Sequence, residues 1–426
     1  MTAKPNGNLW RASSDLQVAA PPLDTDADVD LVIIGGGFTG NAAALEAARR
    51  GASVLLLEAE TFGHGGSGRN VGLVNAGLWL PPRDVIAQMG EIAGMALIRQ
   101  LADAPKLVWS LIEREGISCE ATPNGTLHLA HAPSGLRDLV ARHQQGLALG
   151  APLQILDPAE TARRTGSGAF HGALFDPRAG TIQPLSYARG LARAAIAAGA
   201  RLHEHSPVRA VRHQDGRWQV TANGRTVTAA SLLLATNAYF DGIEIAVRPQ
   251  FVGVNYCQFA TEPMPEPLRA TILAGGEGCW DTALVMSSFR TDQAGRMIVG
   301  GIGDAGGAGG SIHAGWARRK LRKVYPQLAH LPFEHAWHGR IAMTGDHIPK
   351  ILRLGPAGYA CFGYSGRGIG PGTLFGTRAA TALLDGDEYG LPVAPVAAHG
   401  ERFARARARY YETGALMTHA VQPLPL

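Results

Sequence analysis

The chain has 426 residues, 46% of them hydrophobic and 17% charged, so it can bury a large core and is not a disordered chain. Its net charge of +4 is small for this length and gives no electrostatic reason to expect a nucleic acid or an anionic membrane as partner. Cys119, Cys257, Cys279 and Cys361 are far apart and form no metal-ligand ladder, so no metal is expected and a reducing cytoplasm fits. No apolar run reaches the roughly 18 residues of a membrane span. The N-terminus shows no basic segment leading into an apolar one, so no signal peptide is expected.

Residues 1–28 form a polar, proline-containing arm that reads equally as a disordered tail or, through Leu9 and Trp10, as a segment partly docked on the body. Val29–Ile34 reads as a buried strand running into Gly35-Gly-Gly-Phe-Thr-Gly40. Asn41–Arg50 then reads as a helix ended by Gly51, and Ala52–Leu57 as a second strand ending at Glu58. Helical segments over 84–115 give way to short strands at 125–130, 153–156 and 173–175. A helix at 184–199 follows, then strands at 201–204, 208–212, 218–221 and 227–235. Strands at 251–261, 283–291 and 296–301, a glycine loop at 303–310 and a basic helix at 316–325 come next. The last units are a strand at 359–362, a glycine turn at 363–372, a helix through Leu384 and a basic surface helix carrying Phe403 and Tyr410 on one face.

This alternation predicts an α/β fold in which a Rossmann-type domain is interleaved with an antiparallel-sheet domain. The expected division is an arm at 1–28, a cofactor domain at 29–78, 181–248 and 335–390, a substrate domain at 79–180 and 249–334, and a C-terminal helix and tail at 391–426.

Gly35, Gly37 and Gly40 have the G-x-G-x-x-G spacing between a strand and a helix. The first glycine makes the turn, the second admits a pyrophosphate, and the third lets the helix pack on the strand. Glu58 follows 23 residues after Gly35, where an acid accepts the hydroxyls of a ribose and repels a ribose phosphate. The choice between FAD and NAD falls to the rest of the chain. In place of further βα units stands His64-Gly-Gly-Ser-Gly-Arg-Asn-Val-Gly72, a loop of backbone donors with one hydroxyl and one guanidinium. A strand ending in Ala235-Thr236-Asn237 returns the chain toward the first strand. A second glycine turn opens a helix at Gly366-Arg367-Gly368-Ile369-Gly370, where unpaired N–H groups favour negative charge.

Taken in order, residues 30–40, 66–70, 179–185, 235–239 and 363–368 resemble the D-amino-acid oxidase superfamily, and within it the γ-glutamylputrescine oxidase branch. The resemblance implies non-covalent FAD, oxidation of a C–N bond by hydride transfer, and an imine that hydrolyses, with oxygen as acceptor and hydrogen peroxide as product. It implies that Gly35, Gly37, Phe38, Thr39, Gly40, Glu58 and Ala59 bind the ADP half, and that Val208 contacts the adenine side through its backbone. Gly66, Ser67, Arg69, Asn70 and Val71 are then expected along the phosphates and flavin, with Ala235, Thr236 and Asn237 close by and Gly366–Gly370 at the pyrimidine end. Two departures bear on substrate. The positions where relatives hold an α-carboxylate with arginine or lysine carry Ile341 and Gly370, which favours an amine without an adjacent carboxylate. The strand over Met297–Gly300 lacks the lysine that promotes oxygen reaction in sarcosine oxidases, so a dehydrogenase passing electrons to a protein or quinone stands as the alternative. A flavin protein without amine turnover is the rival of another class. A flavin domain acting on RNA would need a basic, aromatic groove, and none stands out.

Tyr256, Gln258, Arg290, His338, Arg340 and Tyr364 are the expected substrate-positioning residues. Beside that reading stands a structural one: sheet-face side chains for Tyr256 and Gln258, a salt-bridged arginine for Arg290 and a core histidine for His338.

Overall fold

Alternate residues of the first strand, Ala27–Ile34, divide between two cores. Leu31 and Ile33 join Val54 and Leu56 under the helices, whereas Val32 and Ile34 join Leu55 and Leu57 on the other face. A strand buried on both faces needs a near-continuous apolar sequence, which is why 31–34 and 54–57 carry no polar residue. The computed structural model describes residues 6–421.

Ala27–Ile34 lies at the centre of the first sheet, parallel to Val54–Leu57 on one side and Arg225–Leu234 on the other. Arg201–His203 extends one edge and Gly358–Phe362 the other, both parallel, and Lys350–Gly355 closes that side antiparallel. Arg225–Leu234 also turns back through Arg217–Ala222 and Val208–Gln214. That antiparallel flap supplies Trp218 and Val220 to the second face, where a doubly wound sheet would have helices.

Helices Phe38–Arg49, Pro184–Ala197 and Ile369–Asp385 cover the first face. They pack through small residues. A Cβ on Gly40 would run into the Gly35 carbonyl, and one on Gly376 into the Thr39 carbonyl.

The second sheet runs Phe333–Met343, Val252–Pro263, Arg296–Ile302, Ser287–Thr291, Gly278–Asp281, Thr126–Leu129, Ala173–Asp176, Gln154–Leu156. Every neighbouring pair is antiparallel save one: Gly278–Asp281 lies parallel to Thr126–Leu129, where the chain's two passes through this sheet meet. The expected boundary at residue 335 falls inside Phe333–Met343, which pairs with Val252–Pro263 along its length.

The expected helical stretch at 84–115 is three helices, Pro82–Met89, Glu91–Ala102 and Ala104–Arg114, separated at Gly90, whose φ is +78°, and at Asp103. Pro133–Ala148 and Pro158–Thr165 are further helices whose signal is a proline in the first turn. The basic helix begins at Gly310, inside the expected glycine loop.

The arm docks. Asn8 caps a short helix, Leu9–Ser13, and Trp10 is fully buried against Trp337. Residues 1–5 of the arm and 422–426 of the tail lie outside the described residues. Phe403 precedes the last helix, Ala404–Ala420, in a left-handed conformation. Phe403 and Tyr410 are 77% and 74% exposed, so they do not form a packed face, and the helix is held instead by Ala415 and by His419 stacked on Trp316. Among the described residues no helix is long and apolar enough to cross a membrane.

Candidate active site

A cavity of about 880 Å³ separates the carboxyl ends of the parallel strands from the second sheet. The size falls in the usual range for ligand clefts, about 300–1,000 Å³.

The first wall is built mainly from backbone. Gly35 turns the chain with φ +107°, and a Cβ there would stand 2.9 Å from the Ala235 carbonyl. Gly37, which has no side chain to cap with, starts helix Phe38–Arg49, and the helix start borders the cavity at Phe38 and Thr39. Ser67 Oγ accepts from Phe38 N at 3.0 Å. Glu58 accepts from Gly36 N at 2.6 Å and Glu60 N at 3.0 Å. Burial pushes its carboxyl up, and those two N–H groups pull it back. Each oxygen keeps a lone pair for a ribose hydroxyl. Thr236 Oγ1 is buried on the same wall with no hydrogen-bond partner among the described residues. A second uncapped helix, Ile369–Asp385, opens on the cavity through Gly366, Arg367, Gly368 and Ile369.

Two helix starts on the cavity, one of them with its first N–H held by Ser67, a buried acid with spare lone pairs and an orphaned hydroxyl are what an extended dinucleotide requires. Ala59, Gly66, Arg69, Asn70, Val71, Val208, Ala235 and Asn237 complete the lining. Gly40 and Gly370 do not border the cavity. Gly40 serves the helix–strand contact, and a Cβ on Gly370 would press on Ala104 Cβ at 3.1 Å.

The Gly66–Gly72 loop is fixed from behind. Asn70 Nδ2 donates to the Gly66 and Ser67 carbonyls, and Asn70 Oδ1 accepts from Gly72 N. The arm adds Asn8 Nδ2 to Gly68 O at 2.7 Å and Trp10 Nε1 to Asn70 O at 2.8 Å. From the second sheet, Gln258 Nε2 and Trp337 Nε1 both donate to Arg69 O, at 2.7 and 3.0 Å. Burial and the neighbouring Arg69 and Arg11 push the His64 imidazole down to about 4.

Three expected substrate-positioning residues therefore stand elsewhere. Gln258 is fully buried and props the Arg69 carbonyl. Arg290 is buried beneath Trp10 and donates to the Ile182 carbonyl at 2.6 Å, so it is structural through backbone carbonyls and forms no ion pair among the described residues. His338 turns to Asp304 at 3.2 Å, on the sheet face away from the cavity.

The other three border the cavity. Tyr256 donates to or accepts from Ser288 Oγ at 2.8 Å, and burial pushes its phenol up. Tyr364 pairs with Thr39 Oγ1 at 2.8 Å, tying the two helix starts together. Arg340 is committed to Asp241 and lies over the Tyr239 ring, so it is not free to replace an arginine at position 341.

The second wall holds residues that sequence reading passed over: Trp79, Arg142, Trp280, Met286 and Ile302. They come from separate segments with no motif. With Val254, Ile341 and Met343 they make this side apolar and aromatic, and the second sheet contributes no carboxylate or lysine among the described lining residues.

The DAO family, described as FAD dependent oxidoreductase, is matched over residues 30–382. The chain belongs to this family. As a member of the DAO family it is an FAD-dependent oxidoreductase. It is 30% identical over 384 residues to the gamma-glutamylputrescine oxidoreductase of Escherichia coli (strain K12), covering 89% of each chain. It is 29% identical to a probable oxidoreductase OrdL of Haemophilus influenzae, covering 86% of each. Among solved structures it is similar in fold to the glycine oxidase of Geobacillus kaustophilus, with a TM-score of 0.70 and 21% identity over 86% of this chain and 96% of that one.

Proposed function

We propose that this enzyme oxidises the C–N bond of a primary or secondary amine, such as a polyamine derivative of the γ-glutamylputrescine kind or an N-substituted amino compound. The product is an imine that hydrolyses to a carbonyl compound and the released amine or ammonia. Bound FAD supplies the hydride acceptor, held without a covalent link: Asn70 stands where histidine-linked relatives attach flavin, and the four cysteines are buried. Gly35–Thr39 and Glu58 hold the ADP half, the Gly66–Val71 loop runs along the phosphates and flavin, and Gly366–Ile369 meet the pyrimidine end.

The observation that carries this reading is the asymmetry of the cavity. One wall offers backbone donors and two helix starts. The other offers Tyr256, Ile341, Met343 and Trp280 with Arg142 beside them, and the second sheet adds no carboxylate or lysine to the described lining. A neutral amine held there needs positioning more than proton transfer. Ile341 in an apolar wall supports an amine with no carboxylate on the reacting carbon. The buried free thiols fit a cytoplasmic enzyme.

Oxygen is the proposed acceptor, giving hydrogen peroxide. The alternative, a dehydrogenase serving a partner protein or quinone, is favoured by one observation: strand Arg296–Ile302 carries no lysine and none lines the cavity. The test is an anaerobic titration of the yellow protein with amines and amino acids. Bleaching of the flavin band by amines is expected, and rapid return of colour on admitting air identifies the oxidase. A band that no amine bleaches overturns the reading.

A further inference from the structure

The small net charge of the chain hides an uneven distribution. Helix Gly310–Val324 carries five arginine and lysine residues and no acid, and helix Ala404–Ala420 carries three arginines and one glutamate. These two helices together are seven charges positive, so the rest of the chain, within a total of +4, is three negative. They lie side by side. His313 Nδ1 and His419 Nδ1 share a hydrogen bond of 2.7 Å, and Trp316 stacks on His419 at 4.0 Å. Leu416 packs so closely on Gly309 that a Cβ there would collide with it. Both helices rest on strands Val252–Pro263 and Arg296–Ile302, on the face of the second sheet away from the cavity.

Helix Ala404–Ala420 presents an apolar line outward. Its inner side is Ala415 and His419, both buried, with Glu412 turned in to accept from Asp304 N at 3.1 Å. Tyr410 stands two residues before Glu412, and Met417 two residues from both Ala415 and His419, a step of about 200° round a helix. The two therefore project away from the protein, Tyr410 74% and Met417 66% exposed. Phe403 and Val421 continue the line at its two ends and are exposed as well, so that it spans roughly 25 Å. Arg402, Arg405 and Arg409 flank it, and Arg322 and Lys323 end the neighbouring helix. These five are exposed, and none forms an ion pair among the described residues. Arg407 and Lys320, by contrast, are paired to Glu401 and Asp281.

Large apolar side chains standing in water beside unpaired like charges gain nothing from the fold, and a continuous line of them marks a contact surface. Its chemistry selects the partner. Apolar and aromatic side chains in a row with a basic flank are what a helix lying in a membrane interface presents, the first entering the headgroup boundary and the arginines meeting lipid phosphates. A second copy of the chain would bring the same positive charge to the contact. The outer side of a helix is convex and offers no groove in which the bases of a nucleic acid could stack.

We infer that this face, with Tyr410 and Met417 at its centre and Arg405 and Arg409 beside them, docks on an anionic lipid surface, helix Ala404–Ala420 lying in the plane of the interface. Such docking is peripheral and needs no spanning segment. The cavity lies across the second sheet, so the contact and the reaction use different surfaces, and the inference stands apart from the amine reading.

The test sediments the holoenzyme with vesicles of phosphatidylcholine alone and of phosphatidylcholine mixed equally with phosphatidylglycerol. Binding to the mixed vesicles is expected to exceed that to the neutral ones by roughly tenfold or more, and to weaken as salt is raised. Tyr410→Ser with Met417→Ser, and separately Arg405→Ala with Arg409→Ala, should each lower vesicle binding by roughly tenfold. All four side chains are exposed, so the flavin spectrum and Tm should stay where they were. Arg225→Ala, an exposed charge on the flap of the first sheet, should leave binding unchanged. If one pair of substitutions lowers Tm, the other pair carries the comparison. Mixed vesicles that carry no protein down, equal binding to neutral ones, or binding that both pairs leave unmoved overturns the inference. So does a single-stranded RNA that holds the protein more tightly than the vesicles do, or a concentration-dependent dimer that Tyr410→Ser with Met417→Ser abolishes.

Discussion

The two walls of the cavity are made in opposite ways. The wall on the parallel sheet is backbone: Gly35–Thr39, the Gly66–Gly72 loop and the Gly366–Ile369 turn present N–H groups and small side chains, each from one short run of sequence. The facing wall is side chain: Tyr256, Trp280 and Ile341 from the second sheet, Arg142 from helix Pro133–Ala148 and Trp79 from a loop are five segments that only the tertiary fold brings together. A cofactor shared across a family can be held by main chain, which nearly any sequence supplies once the glycines allow it. A substrate has to be distinguished by side chains, and these vary.

That contrast can be broken first at the arm, which belongs to neither wall yet fastens one to the other. Trp10→Ala should destabilise the protein by about 3–5 kcal/mol, since loss of the buried indole leaves a cavity against Arg290 and Trp337. A lower Tm with loss of flavin on gel filtration would confirm that the Gly66–Gly72 loop depends on it, and an unchanged melt would separate arm from loop. Glu58→Gln tests the backbone wall. It replaces a charged acceptor of Gly36 and Glu60 and should weaken FAD binding by about 1.5–3 kcal/mol. Reconstitution of apoprotein followed by fluorescence gives the Kd. Tyr256→Phe tests the side-chain wall. Removing the hydroxyl that pairs with Ser288 should cost about 1 kcal/mol of stability or less and leave the flavin spectrum in place. A loss of flavin in this variant would show that the walls are not independent.

The smallest effect concerns pH. His64 sits in the loop with its imidazole held near 4, below the ordinary 6.5. The unfolded chain therefore binds a proton that the folded one refuses between those values. The stability tied to neutral His64 is present above pH 6.5 and is lost as pH falls toward 4. His419, buried and held near 3, adds a loss of the same sign. Tm should fall between pH 7 and 4.5, and less steeply in His64→Gln. An equal slope would mean that His64 contributes nothing.

The same contrast explains what the sequence made legible. Gly35, Gly37, Glu58, Ser67 and Gly368 could be placed because their spacing is the structure: a turn, a helix start and an acid at the end of the next strand are local events. Gln258 and Arg290 look like substrate ligands in sequence, yet both spend their donors on backbone carbonyls, and nothing in a strand's own residues tells which neighbour its face will meet. Trp280 and Arg142 carry no local signal at all. The parallel pairing of Gly278–Asp281 with Thr126–Leu129 was hidden for the same reason, since its partners belong to different passes of the chain.

That seam has a consequence for how the molecule is born. Thr126–Leu129 cannot acquire its second neighbour until Asp281 has been made, and the central Ala27–Ile34 must wait for Leu234 for its own second neighbour. Edges left open for so long during synthesis are slow to satisfy and prone to wrong partners. The backbone turn at Gly35 can form early, but the chamber it faces closes only after most of the chain has emerged. Capture of flavin is then a late event in biogenesis, and a ribosome stalled before residue 278 would hold a half-site that nothing yet covers.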